Sequence, residues 1–360
     1  MRAAVCRAFG APLRIEELRL DQPESDEVVV ELAAAAICHS DIAFAEGAWG
    51  GDLPAVYGHE AAGVVREIGA DVQSVRPGDH VAVGLVRSCG RCFFCRRGEQ
   101  HLCEQRFAAD ARPRLHTEAG EPVTQAMHTG AFAEAVVVHE SQLAVLPPAV
   151  PLDVASVLGC GVLTGVGVVL DKIGVMPGAS VVVVGTGGVG SNVVQAAALA
   201  GAGSVVGLDV SRAKRDAATA FGATHTLDPA EGDAGAAVRD LTGRGADYVF
   251  VTVGRGDVIA QSIPYARRGG TVAVVGMPPN DETFGVTAVD FVHDDVRLLG
   301  CKIGSGSGSF SDAVTRLVRL YEEGRLKLDE LVTACYPLEE INEAIASADA
   351  ALRNVIVFGR

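Results

Sequence analysis

A glycine-rich turn directly after an apolar run limits the folds that this chain can adopt. Residues 181–184 are consecutive valines, as a strand buried on both faces requires. The turn Gly185-Thr186-Gly187-Gly188-Val189-Gly190 follows, and residues 189–200 continue in a helix-compatible pattern. Strand, G-x-G-x-x-G and helix in this order predict a dinucleotide-binding unit. The alternative is a glycine-rich turn without a ligand in a large α/β protein.

The same turn indicates which dinucleotide it binds. Its glycines let backbone N–H groups approach a pyrophosphate, and the N-terminus of the helix favours that charge. Asp209 ends the next apolar stretch, nineteen residues after Gly190, where its carboxylate would accept hydrogen bonds from a ribose and repel a 2′-phosphate. NAD is therefore predicted rather than NADP. The candidate cofactor-binding residues of this region are Gly185, Gly187, Gly188, Val189, Gly190, Asp209, Lys214, Val253, Gly254, Arg255 and Gly276.

The hydrophobic pattern divides the chain into two parts. Residues 1–150 contain short Val-rich segments separated by turn signals, which predict a β-rich part. From residue 151 apolar strands alternate with helical stretches, which predicts βαβ units and a parallel sheet. The predicted strands include 28–33, 63–69, 80–83, 181–184, 204–209, 246–251, 270–275 and 354–358, and the predicted helices are 189–200, 212–221, 234–242 and 311–323. The Gly/Ser run at residues 304–309 is predicted to be an exposed loop.

Four cysteines on one short loop predict a structural metal site. Cys89, Cys92 and Cys95 are spaced C-x-x-C-x-x-C, and Cys103 follows after seven residues. Four thiolates with no open position suit tetrahedral zinc. An iron–sulfur centre and cysteines without a metal are the alternatives.

A second set of soft ligands is spread along the chain. It consists of Cys38, His59 and Cys160. Two thiolates and one imidazole are the ligand set of a zinc site that keeps a fourth position open for water or substrate. Asp41 is a candidate acceptor for the ring N–H of His59. Glu60 is either a transient ligand or the partner of a cation.

Composition and charge exclude several classes of function. The 360 residues carry a formal net charge of −15, which argues against nucleic acid or an anionic membrane as a partner. No apolar run reaches membrane-spanning length, and the N-terminus has no secretory pattern. C-x-x-C spacing favours metal binding in a reducing compartment over disulfides, so a cytoplasmic protein is expected. The remaining thiols, Cys6, Cys301 and Cys335, are expected to be buried.

Together these motifs resemble the zinc-dependent medium-chain dehydrogenase/reductase family, close to its alcohol dehydrogenases. The resemblance covers essentially the whole chain, including residues 58–65, 159–165 and 337–344. It implies a GroES-like β-rich catalytic domain of residues 1–161 and 303–360, and a doubly wound Rossmann domain of residues 162–302. It also implies an active site in the cleft between them, two zinc ions per chain, NAD, and a homodimer or homotetramer that pairs through an edge strand at residues 296–301.

The resemblance also implies roles for residues around the second ligand set. Zinc would bind the substrate oxygen there, and Ser40 matches the hydroxyl that takes the alcohol proton. Arg353 matches an arginine that approaches the cofactor pyrophosphate and the active-site glutamate. The candidate catalytic residues are Ser40, His39, Asp41 and Glu60, and the candidate ligands of the catalytic zinc are Cys38, His59 and Cys160.

Two positions depart from the family pattern. Position 43 holds Ala43 instead of the usual relay histidine, so the proton must leave through ribose hydroxyls, water or His39. His39 stands where many members have an arginine against the cofactor phosphate. Because a histidine there carries charge only when protonated, NAD binding is expected to weaken as the pH rises through its titration.

By resemblance, five residues line the substrate pocket: Trp49, Leu85, Phe107, Met127 and Met277, the last of them also beside the cofactor. The single tryptophan of the chain indicates a bulky apolar or aromatic primary alcohol or aldehyde, unless it only packs a loop. The alternative activity is a thiol-dependent, mycothiol-type formaldehyde dehydrogenase, since Arg106, Arg112 and Arg114 lie nearby. A non-catalytic relative is the third possibility, and the intact ligand set argues against it.

Overall fold

The computed structural model describes residues 1–107 and 110–359. The chain forms two compact units. The first unit consists of Met1–Leu163 and Ser307–Arg360, and the second unit is Thr164–Gly306. Each unit has its own layer structure and its own core.

The strands, in chain order, are β1 (Arg2–Cys6), β2 (Arg14–Leu20), β3 (Glu27–Ala36), β4 (Ala55–Val56), β5 (Glu60–Ile68), β6 (His80–Val83), β7 (Leu115–Thr117), β8 (Pro122–Gln125), β9 (Ala135–His139), β10 (Leu143–Val145), β11 (Ser180–Val184), β12 (Ser204–Leu208), β13 (His225–Leu227), β14 (Ala246–Val251), β15 (Ala266–Val274), β16 (Arg297–Gly300), β17 (Val332–Pro337) and β18 (Arg353–Val357).

The α-helices are α1 (His39–Ala45), α2 (Phe93–Arg96), α3 (Leu152–Ala155), α4 (Gly161–Gly167), α5 (Gly188–Leu199), α6 (Arg212–Ala220), α7 (Ala234–Thr242), α8 (Gly256–Ser262), α9 (Ala288–His293), α10 (Phe310–Glu322) and α11 (Ile341–Ala346). Several begin at a side-chain cap that the sequence supplies: Ser211 caps α6, Asp233 caps α7 and Ser309 caps α10.

The first unit is built from β-sheet, as the alternating Val-rich segments predict. Strands β1, β2, β7, β8 and β4 close into a barrel. A mixed seven-stranded sheet has the order β10-β6-β5-β3-β18-β17, with β9 also paired to β3. The long strand β3 buries Val28 and Val30 in the core of this unit together with Phe132 from the loop before β9. This sheet matters for the candidate zinc ligands because β3 ends two residues before Cys38 and β5 begins directly after His59.

The second unit contains the parallel sheet that the sequence predicts. Its order is β13-β12-β11-β14-β15-β16, and every neighbouring pair is parallel. Strand β11 lies inside the sheet, and Val181, Val182 and Val183 are fully buried, which explains the uninterrupted apolar run. The α/β fold class, a GroES-like β-rich domain with a Rossmann-type domain, is confirmed.

Two expectations from the sequence are wrong. The Gly/Ser run at residues 304–309 is not wholly exposed, because Gly304 is buried and Ser305 is only 4% exposed. Cys335 is exposed rather than buried, since β17 alternates between half-buried and exposed positions.

Among residues 1–107 and 110–359 no single helix is long and apolar enough to cross a bilayer; one bent pair of segments, Leu152–Gly159 and Gly161–Ile173, meets the length and composition criteria together.

Candidate active site

Three distant segments of the first unit bring Cys38, His59, Glu60 and Cys160 together. Their ligand atoms all lie within 4.8 Å of one another, and all four residues are buried. Cys38 is the extended residue that begins α1, His59 directly precedes β5, and Cys160 lies in the turn before α4. This arrangement gathers the two thiols and the imidazole that the sequence marks as zinc ligands.

The glycines on either side of Cys160 have a steric reason. A Cβ on Gly159 would lie 2.5 Å from the carbonyl oxygen of Val83, at the end of β6. A Cβ on Gly161 would lie 2.5 Å from Nη2 of Arg353. Real side chains do not approach this closely, so only glycine lets the Cys160 turn pack against the sheet and the arginine.

Asp41 holds the imidazole and its surroundings in place. Its Oδ1 lies 2.9 Å from Nδ1 of His59 and accepts the backbone N–H of Gly58, also at 2.9 Å. Its Oδ2 accepts the backbone N–H of Cys38 at 3.0 Å. Because Nδ1 faces the carboxylate, Nε2 is the ring nitrogen left to bind a metal.

Ser40 and His39 lie at the start of α1, beside the first ligand. The Ser40 hydroxyl donates to Sγ of Cys38 at 3.2 Å. The Ser40 hydroxyl is therefore within reach of a substrate oxygen that binds beside the Cys38 sulfur. His39 is exposed to solvent.

Glu60 and Arg353 form a buried ion pair next to the ligands. Nε of Arg353 lies 3.4 Å from Oε1 of Glu60, whose Oε2 accepts the backbone N–H of Gly161 at 3.1 Å. Burial raises the pKa of Glu60 to about 7, although the Arg353 guanidinium opposes the shift. Within the described residues, Nε and Nη2 of Arg353 are buried without a hydrogen-bond acceptor. Those donors suit an anionic group, in keeping with the role that the sequence suggests for this arginine.

The thiols of this cluster interact strongly. The hydrogen bond from Cys160 lowers the pKa of Cys38 well below the usual thiol value, and the same contact raises the pKa of Cys160. Burial disfavours a charged imidazole, yet the Asp41 carboxylate raises the pKa of His59 well above its usual value. Two thiols and one imidazole this close together are the donor set of a zinc site with an open position, and the Glu60 carboxylate lies beside them.

The four-cysteine loop also brings its sulfurs together. Cys89, Cys92, Cys95 and Cys103 have their Sγ atoms within 4.8 Å of one another. The Cys89–Cys95 and Cys92–Cys103 sulfur pairs are 4.0 and 3.9 Å apart, close to the separation of about 3.8 Å that four thiolates take around tetrahedral zinc. Hydrogen bonding from the backbone N–H of Cys95 lowers the pKa of Cys92 to about 6. These residues fit a closed zinc site.

In the second unit, the glycine-rich turn joins β11 to α5 as predicted. Gly185 has a φ of +85°, and a Cβ on it would meet the side chains of Val253 and Thr252 at 2.6 and 2.8 Å. A Cβ on Gly190 would lie 1.9 Å from the carbonyl oxygen of Gly185. Gly187 is the N-cap residue of α5, and the nearest atom to a Cβ on it would be Nζ of Lys214, at 4.0 Å. The turn therefore leaves room above Gly187 for a phosphate, with a lysine at its edge.

Asp209 lies at the end of β12, beside this turn. Its carboxylate accepts the backbone N–H groups of Thr186 at 2.9 Å and Ser211 at 2.8 Å. These bonds hold the carboxylate at the carboxyl edge of the parallel sheet, where dinucleotides bind in such folds. A ribose at this edge would meet a fixed acceptor.

The weaker cofactor candidates lie at the ends of β14 and β15. A Cβ on Gly254 would meet the carbonyl oxygen of Met277 at 2.3 Å, and one on Gly276 would meet the backbone of Thr252 and Val253 at 2.5–2.6 Å. The two loops therefore touch through their glycines. Arg255 is exposed and pairs with Asp257 at 2.6 Å.

Comparisons with known proteins identify the family of this chain. Residues 24–148 match the model of the alcohol dehydrogenase GroES-like domain, and residues 188–319 match the zinc-binding dehydrogenase model. Putative alcohol dehydrogenase D of Mycobacterium tuberculosis (strain CDC 1551 / Oshkosh) is 37% identical over 95% of this chain and 94% of its own length. Geraniol dehydrogenase of Castellaniella defragrans is 33% identical over 99% and 97%. The crystal structure of benzyl alcohol dehydrogenase from Acinetobacter calcoaceticus gives a TM-score of 0.93 at 29% identity, covering 99% of each chain.

The chain belongs to the zinc-dependent medium-chain dehydrogenase/reductase family. It is an NAD-dependent zinc alcohol dehydrogenase, and its cofactors are zinc and NAD. Its substrates are small alcohols or aldehydes.

The five candidate pocket residues of this alcohol dehydrogenase have different structural surroundings. Trp49 packs edge-on against Phe44, with ring centroids 4.6 Å apart. Met127, with a φ of +50°, packs against the core of the first unit. Leu85 is half-buried, and Met277 belongs to the second unit and is 67% exposed. Phe107 lies between Arg87 and His139.

Sequence reasoning missed two residues of this dehydrogenase. The Thr252 hydroxyl donates to the carbonyl oxygen of Gly185 at 2.7 Å and so supports the glycine turn; its place directly after a buried strand is a signal that points to it. Arg87 contacts Phe107, Asp110 and His128. No spacing pattern links these positions, so the sequence offers no signal for Arg87.

Proposed function

We propose that this alcohol dehydrogenase interconverts primary alcohols bearing a bulky apolar or aromatic group with their aldehydes. The observation that carries the proposal is the gathering of Cys38, His59 and Cys160 ligand atoms within 4.8 Å of one another. Two thiolates and one imidazole leave a position for the substrate oxygen.

Each residue of the site has a task in this reaction. When bound, zinc supplies a Lewis acid that lowers the pKa of a hydroxyl, and NAD supplies the hydride acceptor. Ser40 takes the proton of the alcohol and passes it on, because a serine hydroxyl is too weak a base to keep it. Ala43 cannot continue the relay, so the proton leaves to His39, ribose hydroxyls or water. Asp41 fixes the tautomer of His59.

The proposed substrate class rests on aromatic side chains that follow Cys38 in the chain and on two relatives. The Trp49–Phe44 pair presents an aromatic surface in the first unit. The relatives compared above are named for geraniol and benzyl alcohol, which are both primary alcohols with an apolar remainder.

A panel of alcohols tests the proposal directly. NADH formation is followed by absorbance with ethanol, geraniol and benzyl alcohol, and Cys38→Ala serves as the inactive control. We expect kcat/KM for benzyl alcohol to exceed that for ethanol about tenfold or more, because a pocket gains this much from each buried apolar group. No NADH with any alcohol would contradict the enzyme assignment, and a preference for ethanol would contradict the substrate class.

The thiol-dependent alternative has less support. Arg114 is 4% exposed and its guanidinium is occupied by Glu27, at 2.8 and 2.9 Å. It is thus not available to a carboxylate of a thiol adduct. Formaldehyde oxidation that requires an added low-molecular-weight thiol would revive this alternative.

We also propose a homodimer or homotetramer that pairs through β16. This strand is the edge of the six-stranded sheet, and the exposed apolar residues Val289, Val292 and Leu299 lie on or near it. An unpaired edge with apolar neighbours favours association with a second copy. A mass in solution of 37.1 kDa, that of one chain, would contradict this proposal.

The proposed compartment is the cytoplasm. Both candidate zinc sites need reduced thiols, and a reducing compartment maintains them. Fractionation of the source cells tests this placement, and recovery of the protein outside the cytoplasm would contradict it.

A further inference from the structure

We propose that Arg87 is a positioning residue for substrate selectivity, because its guanidinium joins three chain segments that each carry a candidate pocket residue. The segments hold Leu85, Phe107 and Met127. The inference rests on the proposed function, since that proposal makes these three side chains part of the substrate pocket.

Phe107 is held from several sides. The Arg87 guanidinium carbon lies 4.7 Å from the centroid of its ring, and the His139 ring packs edge-on at 4.8 Å. Its backbone N–H donates to Oδ2 of Asp110 at 2.8 Å, and its carbonyl oxygen accepts the backbone N–H of Asp110 at 3.0 Å. Ring and backbone are therefore both fixed, although the ring is only half-buried.

Asp110 connects this backbone to Arg87. Its second oxygen, Oδ1, pairs with Nη2 of Arg87. The arginine side chain is 6% exposed and that of Asp110 is 33% exposed. An ion pair with one buried partner is screened less than a surface pair, so it holds Asp110 firmly.

Arg87 reaches the third segment through His128. The same Nη2 lies 2.6 Å from Nδ1 of His128, the residue after Met127. Leu85 is two residues before Arg87 on the segment that follows β6. One guanidinium thus fixes the position of Phe107 relative to both of the other segments.

A lysine cannot replace this arginine. The planar guanidinium offers a flat face to the Phe107 ring and separate N–H groups to Asp110 and His128, whereas an ammonium is a compact point charge without a face. Arg87→Lys therefore keeps the charge and releases the ring. A displaced Phe107 would weaken contacts with a bulky alcohol and leave a small one unaffected.

The test compares two substrates on one enzyme sample. Selectivity is the ratio of kcat/KM for benzyl alcohol to that for ethanol, in the NAD- and zinc-loaded enzyme. This ratio does not depend on how much of the sample is active, so a purely structural loss of active enzyme leaves it unchanged. We expect the ratio to fall about tenfold in Arg87→Lys and in the same direction in Asp110→Asn.

Arg66→Lys is the matched control. Arg66 also pairs with an acidic residue, Glu67, at 3.6 Å, but its side chain is 62% exposed. We expect its ratio to match wild type. Since Arg87 lies two residues before Cys89, zinc content is measured for every variant. If Arg87→Lys loses zinc, the selectivity ratio measured in Asp110→Asn decides the test instead.

Two results would overturn the inference. One is a wild-type ratio in both Arg87→Lys and Asp110→Asn. The other is an Arg87→Lys effect that simply adds to that of Phe107→Ala in the double variant, because a residue that acts through Phe107 must lose its effect when that ring is absent. Failure of the proposed function is a separate outcome, since there the wild-type enzyme itself shows no preference for the bulky alcohol.

Discussion

Asp41 accepts hydrogen bonds from Cys38, Gly58 and His59 with its two carboxylate oxygens. Each donor is a proposed zinc ligand or the neighbour of one. The carboxylate is 1% exposed, so water cannot replace these bonds. At the scale of single residues, the geometry of the site therefore depends on a side chain that need not touch the metal.

The first prediction is that Asp41→Asn weakens zinc binding at the catalytic site. Asparagine keeps the size but lacks the charge that favours the imidazole orientation, and such substitutions cost about 10–100-fold in metal affinity. The measurement is zinc retained against a chelator. Asp52→Asn, at an exposed position, is the control. Equal retention in Asp41→Asn and wild type would show that the carboxylate does not support the ligand.

The second prediction concerns cofactor choice at Asp209. Asp209→Ala removes the carboxylate held by Thr186 and Ser211, so the preference for NAD over NADP should narrow about tenfold or more. The measurement is the ratio of kcat/KM for the two cofactors. Asp216→Ala, at an exposed residue paired with Arg212 on α6, is expected to leave it unchanged. An unaltered ratio in Asp209→Ala would exclude Asp209 from ribose binding.

Single residues differ in how well sequence predicts them. Cys38, His59 and Cys160 stand in recognisable motifs, and the structure brings them together. Arg87 could not be predicted in the same way. Its partners come from positions 107, 110 and 128, and only the fold decides that they meet.

At the scale of elements, the β11–turn–α5 segment shows why each glycine is needed for a different reason. Gly190 faces the carbonyl oxygen of Gly185, where a Cβ would be 1.9 Å away, so it serves packing between turn and helix. Gly187 has open space, with Nζ of Lys214 as the nearest atom to a Cβ. The absence of a side chain at Gly187 leaves room for a phosphate of the cofactor.

The third prediction is that alanine substitutions separate these two roles. Gly190→Ala should lower the melting temperature by about 5 °C, because overpacking costs about 1–3 kcal/mol. Gly187→Ala should leave the melting temperature within about 1 °C of wild type and weaken NAD binding about tenfold, because its Cβ would occupy the phosphate position. Thermal unfolding without NAD and NAD titration provide the readouts. A stable Gly190→Ala enzyme with wild-type NAD affinity would contradict the packing argument.

Four strands of the second unit could be predicted from the sequence because each is a mostly apolar run. Strands β11, β12, β14 and β15 are apolar runs between helical stretches, and all lie in the parallel sheet. The barrel of the first unit offers less signal. Strand β2 has mostly exposed and half-buried side chains, and β4 is two residues long, so neither shows the alternation that marks a strand.

At the scale of the whole molecule, the chemistry depends on contacts between residues far apart in sequence. Cys160 lies 100 positions after Glu60 in the sequence, so no local motif joins them. The net charge of the chain, −15, argues against nucleic acid as a partner but does not identify the alcohol. Substrate choice depends on loops, whose positions the sequence alone does not give.

The fourth prediction tests the central claim that Cys160 completes a second zinc site. The measurement is zinc per chain in purified Cys160→Ala, compared with wild type and with Cys6→Ala, in which another buried thiol of the first unit is removed. We expect two zinc ions per chain in wild type and in Cys6→Ala, and one in Cys160→Ala, since the four-cysteine site remains intact. Two zinc ions retained in folded Cys160→Ala would contradict it.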